Sequence, residues 1–304
     1  MVSLKKFKRI LILSGGISEE RDISQSSADH VYQTIKNEAT TKILDVSDNA
    51  EQLLMNIQKF NPDVIFNCLH GYFGEDGQIQ SILNYLKIPY THSGVLTSAI
   101  LMNKIISKKL FQSLGIRSPE FLSEYNINNK KLKFPLIIKP VNGGSSYGLI
   151  KVNNKESLIK YLNKKKLKKC EMLIEEFIFG RELTVGILEN KICGVMEIKF
   201  SEELYDYNNK YINIAEHIIS PKLPKKIEKE LIENSLKVHS SLSCNCISRL
   251  DFRYNEETNK TYLLEVNTQP GLTKNSLLPE MAREKGISFL KLCEILLKAS
   301  ICEI

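Results

Sequence analysis

Residues 261–279, TYLLEVNTQPGLTKNSLLP, hold the pattern around which the rest of the chain is organised. Tyr262, Leu263, Leu264 and Val266 form an apolar run without a breaker, which predicts a strand. Side chains alternate faces along a strand, so Leu263, Glu265 and Asn267 are expected on one face, and Leu264 and Val266 on the other. Upstream, Leu250-Asp251-Phe252 reads as an antiparallel partner, joined through a polar turn over residues 255–260. That hairpin brings Asp251 close to Glu265 and Asn267. Two carboxylates and an amide oxygen make a hard, oxygen-only set suited to Mg²⁺ carrying phosphates. A solvated strand face with three polar residues accounts for the same pattern, and at this point both readings stand.

The 304 residues suffice for two or three domains with substantial cores. At 42% hydrophobic and 25% charged, the composition is that of an ordinary globular chain. The net charge of +7 admits an anionic ligand. Much of it lies in lysine runs at 164–169 and 222–229, which read as solvated helix faces. No aromatic stacking pattern or basic arm accompanies them, so nucleic acid is not an expected partner. The seven cysteines (Cys68, Cys170, Cys193, Cys244, Cys246, Cys293 and Cys302) include no CxxC pair and no Cys/His cluster at zinc spacing. They read as reduced thiols in a reducing compartment. The apolar run at 10–13 is too short for a signal peptide, and no stretch is long enough to span a membrane. A cytoplasmic protein without a membrane partner is expected.

Along residues 1–94, short apolar strands (9–13, 41–46, 63–69 and 88–90) alternate with helical segments (to about 36, 51–60 and 78–86). This is the pattern of a doubly wound parallel α/β domain. Ligands collect outside the carboxyl ends of such strands, which singles out Glu20 and His70. Gly15-Gly16 lacks the third glycine of a dinucleotide fingerprint, which disfavours a nicotinamide enzyme. Residues 95–114 read as a helix with a polar interruption at Asn103-Lys104 and then at Lys108-Lys109. The strand 134–139 ends in Lys139 and feeds a Gly/Ser hairpin tip, Asn142-Gly143-Gly144-Ser145-Ser146-Tyr147-Gly148, with a return strand at 149–152. Glycine lets backbone N–H groups approach phosphate oxygens and serine adds donors, although a plain flexible hairpin has the same composition. Strands at 172–177, 183–188 and 193–200, a tyrosine-rich loop at 204–211 and helices from about 225 and over 289–299 complete the chain.

Lys104, Lys139 with its flap, Glu175-Glu176 and the Asp251/Glu265/Asn267 set together describe an ATP site unrelated to P-loops. With GGISEERDIS at 15–24, NCLHGYFGEDGQIQ at 67–80, KPVNGGSSYG at 139–148, YDYNNKY at 205–211, RLDF at 249–252 and LEVNTQPGLTKNSLLP at 264–279, the chain resembles the ATP-grasp family over nearly its whole length. Within that family it is similar to the D-alanine:D-alanine ligases. The resemblance implies an α/β ATP-grasp fold. It comprises an N-terminal substrate domain (1–94), a central lobe with the flap (95–182) and a C-terminal lobe with the metal site and a mobile loop (183–304), with ATP between the two lobes.

It also implies residue roles. Lys104 and Lys139 neutralise phosphates; Glu175, Glu176 and the backbone near Ile178 face the adenine, and Glu182 the ribose. Ser145 and Ser146 cover the phosphates, while Asp251, Glu265 and Asn267 hold two Mg²⁺ ions, for which Mn²⁺ can substitute. Glu20 pairs with the ammonium of the first D-alanine, beside His70. Arg249 and the Gly271 amide stabilise an oxyanion, and Ser276 and the Leu277 amide take the second substrate's carboxylate. Lys210 and Tyr211 lie in the mobile loop, Tyr211 bonding to Ser145 and Glu20 on closure. The implied reaction joins two D-alanines through an acyl phosphate, in a homodimer. Retention of Lys210-Tyr211 favours an amine nucleophile over D-lactate. Asn103, Gln269, Leu204 and the run Cys244-Asn245-Cys246 depart from the family's usual pattern.

Overall fold

The computed structural model describes residues 6–123, 133–144, 148–165, 171–200 and 215–303. Strands β1 (Arg9–Gly15), β2 (Thr40–Val46) and β3 (Val64–Asn67) form a parallel sheet in the order β2-β1-β3. Alternation along β1 feeds two cores. Ile10 and Ile12 pack with Ala28, Val31 and Ile35 of α1 (Arg21–Ile35). Leu11 and Leu13 pack with Leu53 and Ile57 of α2 (Ala50–Phe60) and with Ile79 and Leu83 of α3 (Gln78–Tyr85). Helices on both faces make this the expected doubly wound unit. The strand expected at 88–90 shrinks to Tyr90, which bridges Ile65 in parallel and Ile301 in antiparallel fashion. Pro89 offers no N–H to a ladder, and His92 turns the chain at a φ of 75°.

The helix expected over 95–114 is two helices, α4 (Val95–Met102) and α5 (Lys104–Ser113). Asn103 breaks it with an extended backbone, and its side chain accepts the N–H groups of Ile105 and Ile106 as the cap of α5. The four-stranded antiparallel sheet that follows runs β4-β7-β5-β6. Its strands are β4 (Phe121–Ser123), β5 (Leu136–Pro140), β6 (Ile150–Val152) and β7 (Met172–Glu176). Helix α6 (Lys155–Lys165) packs Leu158 against Leu136, Ile138, Val152 and Ile174.

The largest sheet runs β10-β9-β8-β11-β12, all antiparallel. It contains β8 (Arg181–Leu188), β9 (Lys191–Lys199), β10 (Glu216–Ile219), β11 (Ile247–Asn255) and β12 (Lys260–Asn267). One face is covered by α7 (Lys225–Ser241), whose Ile227, Leu231 and Val238 pack on Leu183, Val185, Leu250 and Phe252. On the other face α8 (Leu277–Glu284) sets Met281 against Gly186 and Gly194. A Cβ at Gly194 would lie 3.1 Å from the Met281 Cβ, a tight contact that bare backbone avoids. The closing helix α9 (Phe289–Lys298) places Leu292 and Leu296 in the same core as Ile10, Ile12 and Met281. The C-terminal helices thus join the largest sheet to the parallel one. Among the described residues no helix is long and apolar enough to cross a membrane.

Candidate functional site

A cleft of about 790 Å³ opens between the four-stranded and five-stranded sheets, and its walls bring most of the separated sequence signals together. Lys104, Lys139, Glu175, Glu176, Ile178, Glu182, Asp251 and Glu265 all line it, with Gly143 and Gly144 at the hairpin tip. Charged side chains of both signs converge on it from the two sheets, with Ile137, Phe177, Ile178 and Leu264 between them, which suits a charged ligand with an apolar part. Lys104 opens α5, and its backbone N–H donates to the Val141 carbonyl at 3.1 Å, locking the helix start to the end of β5. Its Nζ donates to the Gly143 carbonyl and lies 3.7 Å from Glu265 Oε2. Burial holds the Lys104 ammonium below its ordinary pKa.

At the cleft wall Glu175 is shared by two lysines. Its Oε1 meets Lys139 Nζ at 2.7 Å, and its Oε2 meets Lys108 Nζ at 2.8 Å. Burial opposes each charge, but the two lysines outweigh it at Glu175 and lower the carboxyl pKa. At Lys139 burial is likewise outweighed, by Glu175 and Glu265, and the pKa rises. At Lys108 burial wins, bringing the ammonium down to about 8 despite the Glu175 contact. Lys108 did not figure among the sequence candidates. Its place one turn after Lys104 was a signal, because residues four apart share a helix face.

The register of the β11–β12 hairpin sets Asp251 opposite Glu265, close to it as the sequence pattern anticipates, and Arg249 opposite Asn267. The expected sharing of faces along β12 is corrected. A bulge pairs Phe252 with Leu263 directly after Asp251 with Glu265, so Leu264 is the extra residue. Leu263 therefore enters the core with Val266, while Leu264 lines the cleft beside Glu265. Asp251 is densely held. Arg249 donates to Oδ1 and Oδ2 at 2.9 and 2.8 Å, Thr184 Oγ1 donates at 2.6 Å, and Asn267 Nδ2 donates at 3.0 Å. Thr184 was not singled out in the sequence, where an inward threonine on an apolar strand carries no mark. Among the described residues no three His, Cys, Asp or Glu side chains converge on one metal position. The set here is two carboxylates and an amide, all oxygen donors on adjacent strands, which fits a hard cation whose remaining ligands come from phosphates.

Beyond the hairpin tip, the loops that follow β1 and β3 of the parallel sheet carry Glu20 and His70, both buried. A Cβ at Gly71 or at Gly144 would each lie 2.8 Å from Glu20 Oε2, so this carboxylate sits in a slot between two glycines. His70 Nδ1 contacts Glu75 Oε1 at 3.2 Å, and Nε2 lies 3.5 Å from Ser27 Oγ. Burial alone would lower the imidazole pKa, but Glu75 more than reverses it and the net shift is upward. Ser27 Oγ also accepts the Leu272 N–H at 3.3 Å, linking α1 to the loop that carries Gly271. Gly271 packs close to Ser276: a Cβ there would lie 2.9 Å from Ser276 Oγ. Ser276 caps α8 by position, and its hydroxyl pairs with Thr273 rather than with its own helix, leaving the Leu277 amide in the first turn. Ser145, Ser146, Lys210 and Tyr211, with the contact expected between Tyr211 and Ser145, lie outside the described residues.

A family model described as "D-ala D-ala ligase C-terminus" matches residues 112–298, and "D-ala D-ala ligase N-terminus" matches residues 44–93. The chain belongs to the D-alanine–D-alanine ligase family. It is 46% identical over 304 residues to the D-alanine–D-alanine ligase of Pelagibacter ubique (strain HTCC1062), covering 96% of this chain and 97% of that one. The enzyme of the same name from Wolbachia pipientis wMel is 41% identical, with 96% and 94% covered. The ATP-complexed crystal structure of the Bacillus anthracis ligase superposes with a TM-score of 0.79 at 30% identity, covering 96% and 97%. VanG D-Ala:D-Ser ligase from Enterococcus faecalis superposes with a TM-score of 0.78 at 27% identity, covering 96% and 99%.

Three departures from the usual pattern of this ligase family have structural work here. Asn103 caps α5. Asn245 Nδ2 donates to the His92 and Ala299 carbonyls, both at 2.9 Å, and its backbone N–H donates to Ser93 Oγ at 3.1 Å. Gln269 accepts from Asn67 Nδ2 at 2.9 Å and donates through Nε2 to the Leu69 carbonyl. Leu204 lies outside the described residues.

Proposed function

We propose that the cleft binds ATP with Mg²⁺ and that the chain joins two D-alanine molecules into D-alanyl-D-alanine, with ADP and phosphate as co-products. The observation that carries this reading is the meeting, in one cleft, of Lys104 and Lys139 with Asp251 and Glu265, bounded by Glu20 at the parallel sheet. A phosphoryl group moving onto a carboxylate brings anions together, so neutralisation by fixed cations is the main catalytic requirement. Lys104 and Lys139 supply it from the protein. Asp251, Glu265 and Asn267 would hold the metal ions, which add Lewis-acid charge to the phosphates when bound; Mg²⁺ or Mn²⁺ both suit oxygen donors.

The first D-alanine places its ammonium on Glu20, in the slot between Gly71 and Gly144, with His70 alongside. Its carboxylate oxygen takes the γ-phosphoryl group, giving an acyl phosphate and ADP. The second D-alanine sets its carboxylate against Ser276 and the Leu277 amide, where the N-terminus of α8 favours an anion. Its free amine attacks the acyl carbon, and Arg249 with the Gly271 amide stabilises the oxyanion. The C–O bond to phosphate then breaks as the amide forms and the amine gives up a proton. Glu175, Glu176 and the backbone near Ile178 border the adenine, and Glu182 the ribose. Ser145, Ser146, Lys210 and Tyr211 close over the phosphates and exclude water from the acyl phosphate. We assign three lobes to the chain (1–94, 95–182 and 183–304), a homodimeric assembly and a cytoplasmic location.

The likeness to a D-Ala:D-Ser ligase favours D-serine as the competing second substrate. Incubation of the purified protein with ATP, Mg²⁺ and equal D-alanine, D-serine and D-lactate, with products separated by mass, decides among them. D-alanyl-D-alanine is the expected main product; a dominant D-serine or D-lactate product overturns the acceptor assignment.

A further inference from the structure

Lys108 is fully buried on the cation side of the cleft, yet it does not line the cleft itself. It lies four residues after Lys104 on α5, and both side chains are buried. Its only ionic contact among the described residues is Glu175 Oε2 at 2.8 Å, and its Nζ finds no partner there in hydrogen-bond geometry. Glu175 is already neutralised by Lys139 at 2.7 Å on its other oxygen. A second buried ammonium is therefore surplus to pairing. A buried charge without its own counter-charge is costly, and a leucine or methionine would fill the same space at lower cost.

We infer that Lys108 is a positioning residue for phosphate recognition: by sharing Glu175 with Lys139, it leaves the buried Lys108–Glu175–Lys139 triad with a net positive charge directed through Lys139 at the nucleotide's phosphates. The inference rests on the ATP reading above. With Lys108 present, the single carboxylate is divided between two cations. Without it, Glu175 cancels Lys139 completely and the wall facing the phosphates loses one unit of charge. Lys104 cannot replace that charge, because its own ammonium lies 3.7 Å from Glu265. Lys108 touches nothing in the cleft, so its effect on the phosphates is exerted entirely through Glu175 and the field of the triad.

The test compares equilibrium binding of ATP and of adenosine to the full-length protein, with Mg²⁺ and without D-alanine. The ratio of the two affinities isolates the phosphate contribution. Lys108→Met is expected to lower that ratio about tenfold or more while adenosine binding holds, tenfold being the order set by one unit charge about 12 Å away at an effective dielectric of about 20, and more at shorter range. Lys108→Met combined with Glu175→Gln restores the triad's net charge and is expected to return the ratio to near the wild-type value. Adenosine binding itself is free to fall in that double variant, since Glu175 borders the adenine. Should Lys108→Met fail to fold, Glu175→Gln alone reads the same quantity in the opposite direction, with the ratio rising about tenfold. Equal weakening of ATP and adenosine by Lys108→Met, an unchanged ratio, or a double variant as poor as the single one would each overturn the inference. A wild-type protein that binds ATP no better than adenosine removes the ATP reading itself, before any substitution is made.

Discussion

Gln269 ties the loop bearing Gly271 to the strand end bearing His70, across 200 residues of sequence, and its removal is a quantitative test of that tie. The side chain is buried, donates to the Leu69 carbonyl and accepts from Asn67 Nδ2 at 2.9 Å. In Gln269→Ala, Asn67 keeps two other bonds, from its Nδ2 to the Gly74 carbonyl at 3.0 Å and to its Oδ1 from the Leu69 N–H at 3.1 Å. The Leu69 carbonyl is left without this donor, at a cost of about 1–3 kcal/mol for a buried unsatisfied group. The cavity adds about 1 kcal/mol. The sum is about 3 kcal/mol, which lowers the melting temperature of a 304-residue chain by about 5 °C. Function responds as well, because Leu69 precedes His70 and Gln269 lies two residues before Gly271. Steady-state assays are expected to show a raised KM for D-alanine with little change in KM for ATP. A melting temperature within 1 °C of wild type, roughly 0.6 kcal/mol by the same conversion, together with an unchanged KM for D-alanine, refutes the reasoning.

Glu265→Gln keeps shape and removes charge. Its apo partner Lys104 is 3.7 Å away and the carboxylate is partly exposed, so stability should move by no more than about 1 kcal/mol. Turnover should fall about 100-fold or more; activity near wild type contradicts the metal assignment. Gly144→Ala places a Cβ 2.8 Å from Glu20 Oε2, so it is expected to raise the KM for D-alanine several-fold and to leave the fold intact; an unchanged KM removes Glu20 from the amine site. His239 bonds Ser248 Oγ at 2.7 Å and Asn190 Oδ1 at 2.8 Å, and burial brings its pKa down to about 4. The unfolded chain then binds more protons at this group below its ordinary value of about 6.5, so its contribution is complete above that pH and is lost as pH falls towards about 4. Urea unfolding at pH 7 and pH 4.5 should show a stability loss of up to about 3 kcal/mol that His239→Gln diminishes, and identical slopes in the two proteins would count against the buried neutral imidazole.

The local patterns carried much of this fold. Apolar runs, polar interruptions within helices and the charges at strand ends are properties of neighbouring residues, and they marked Glu20, Lys104, Lys139, Asp251 and Glu265 before any three-dimensional information. What escaped them was set by tertiary packing. Leu264 changes face because β11 and β12 twist past a bulge, and no feature of TYLLEVN announces the extra residue. Lys108 reads as one more charge on a lysine-rich helix until Glu175 is seen beneath it. Gln269 and Asn245 look like substitutions of small consequence in the sequence, yet each spans loops more than 50 residues apart. The core shared by Ile10, Met281 and Leu296 likewise joins chain ends that no short-range period relates.

In this reading two amino-acid molecules are joined at the expense of ATP in the Lys104–Lys139–Glu265 cleft. Coupled measurement of phosphate release and dipeptide formation tests it most directly. Phosphate release should require ATP, Mg²⁺ and D-alanine together, with one D-alanyl-D-alanine formed for each phosphate released. Tight ATP binding with no D-alanine-dependent phosphate release, or release without dipeptide, would contradict it.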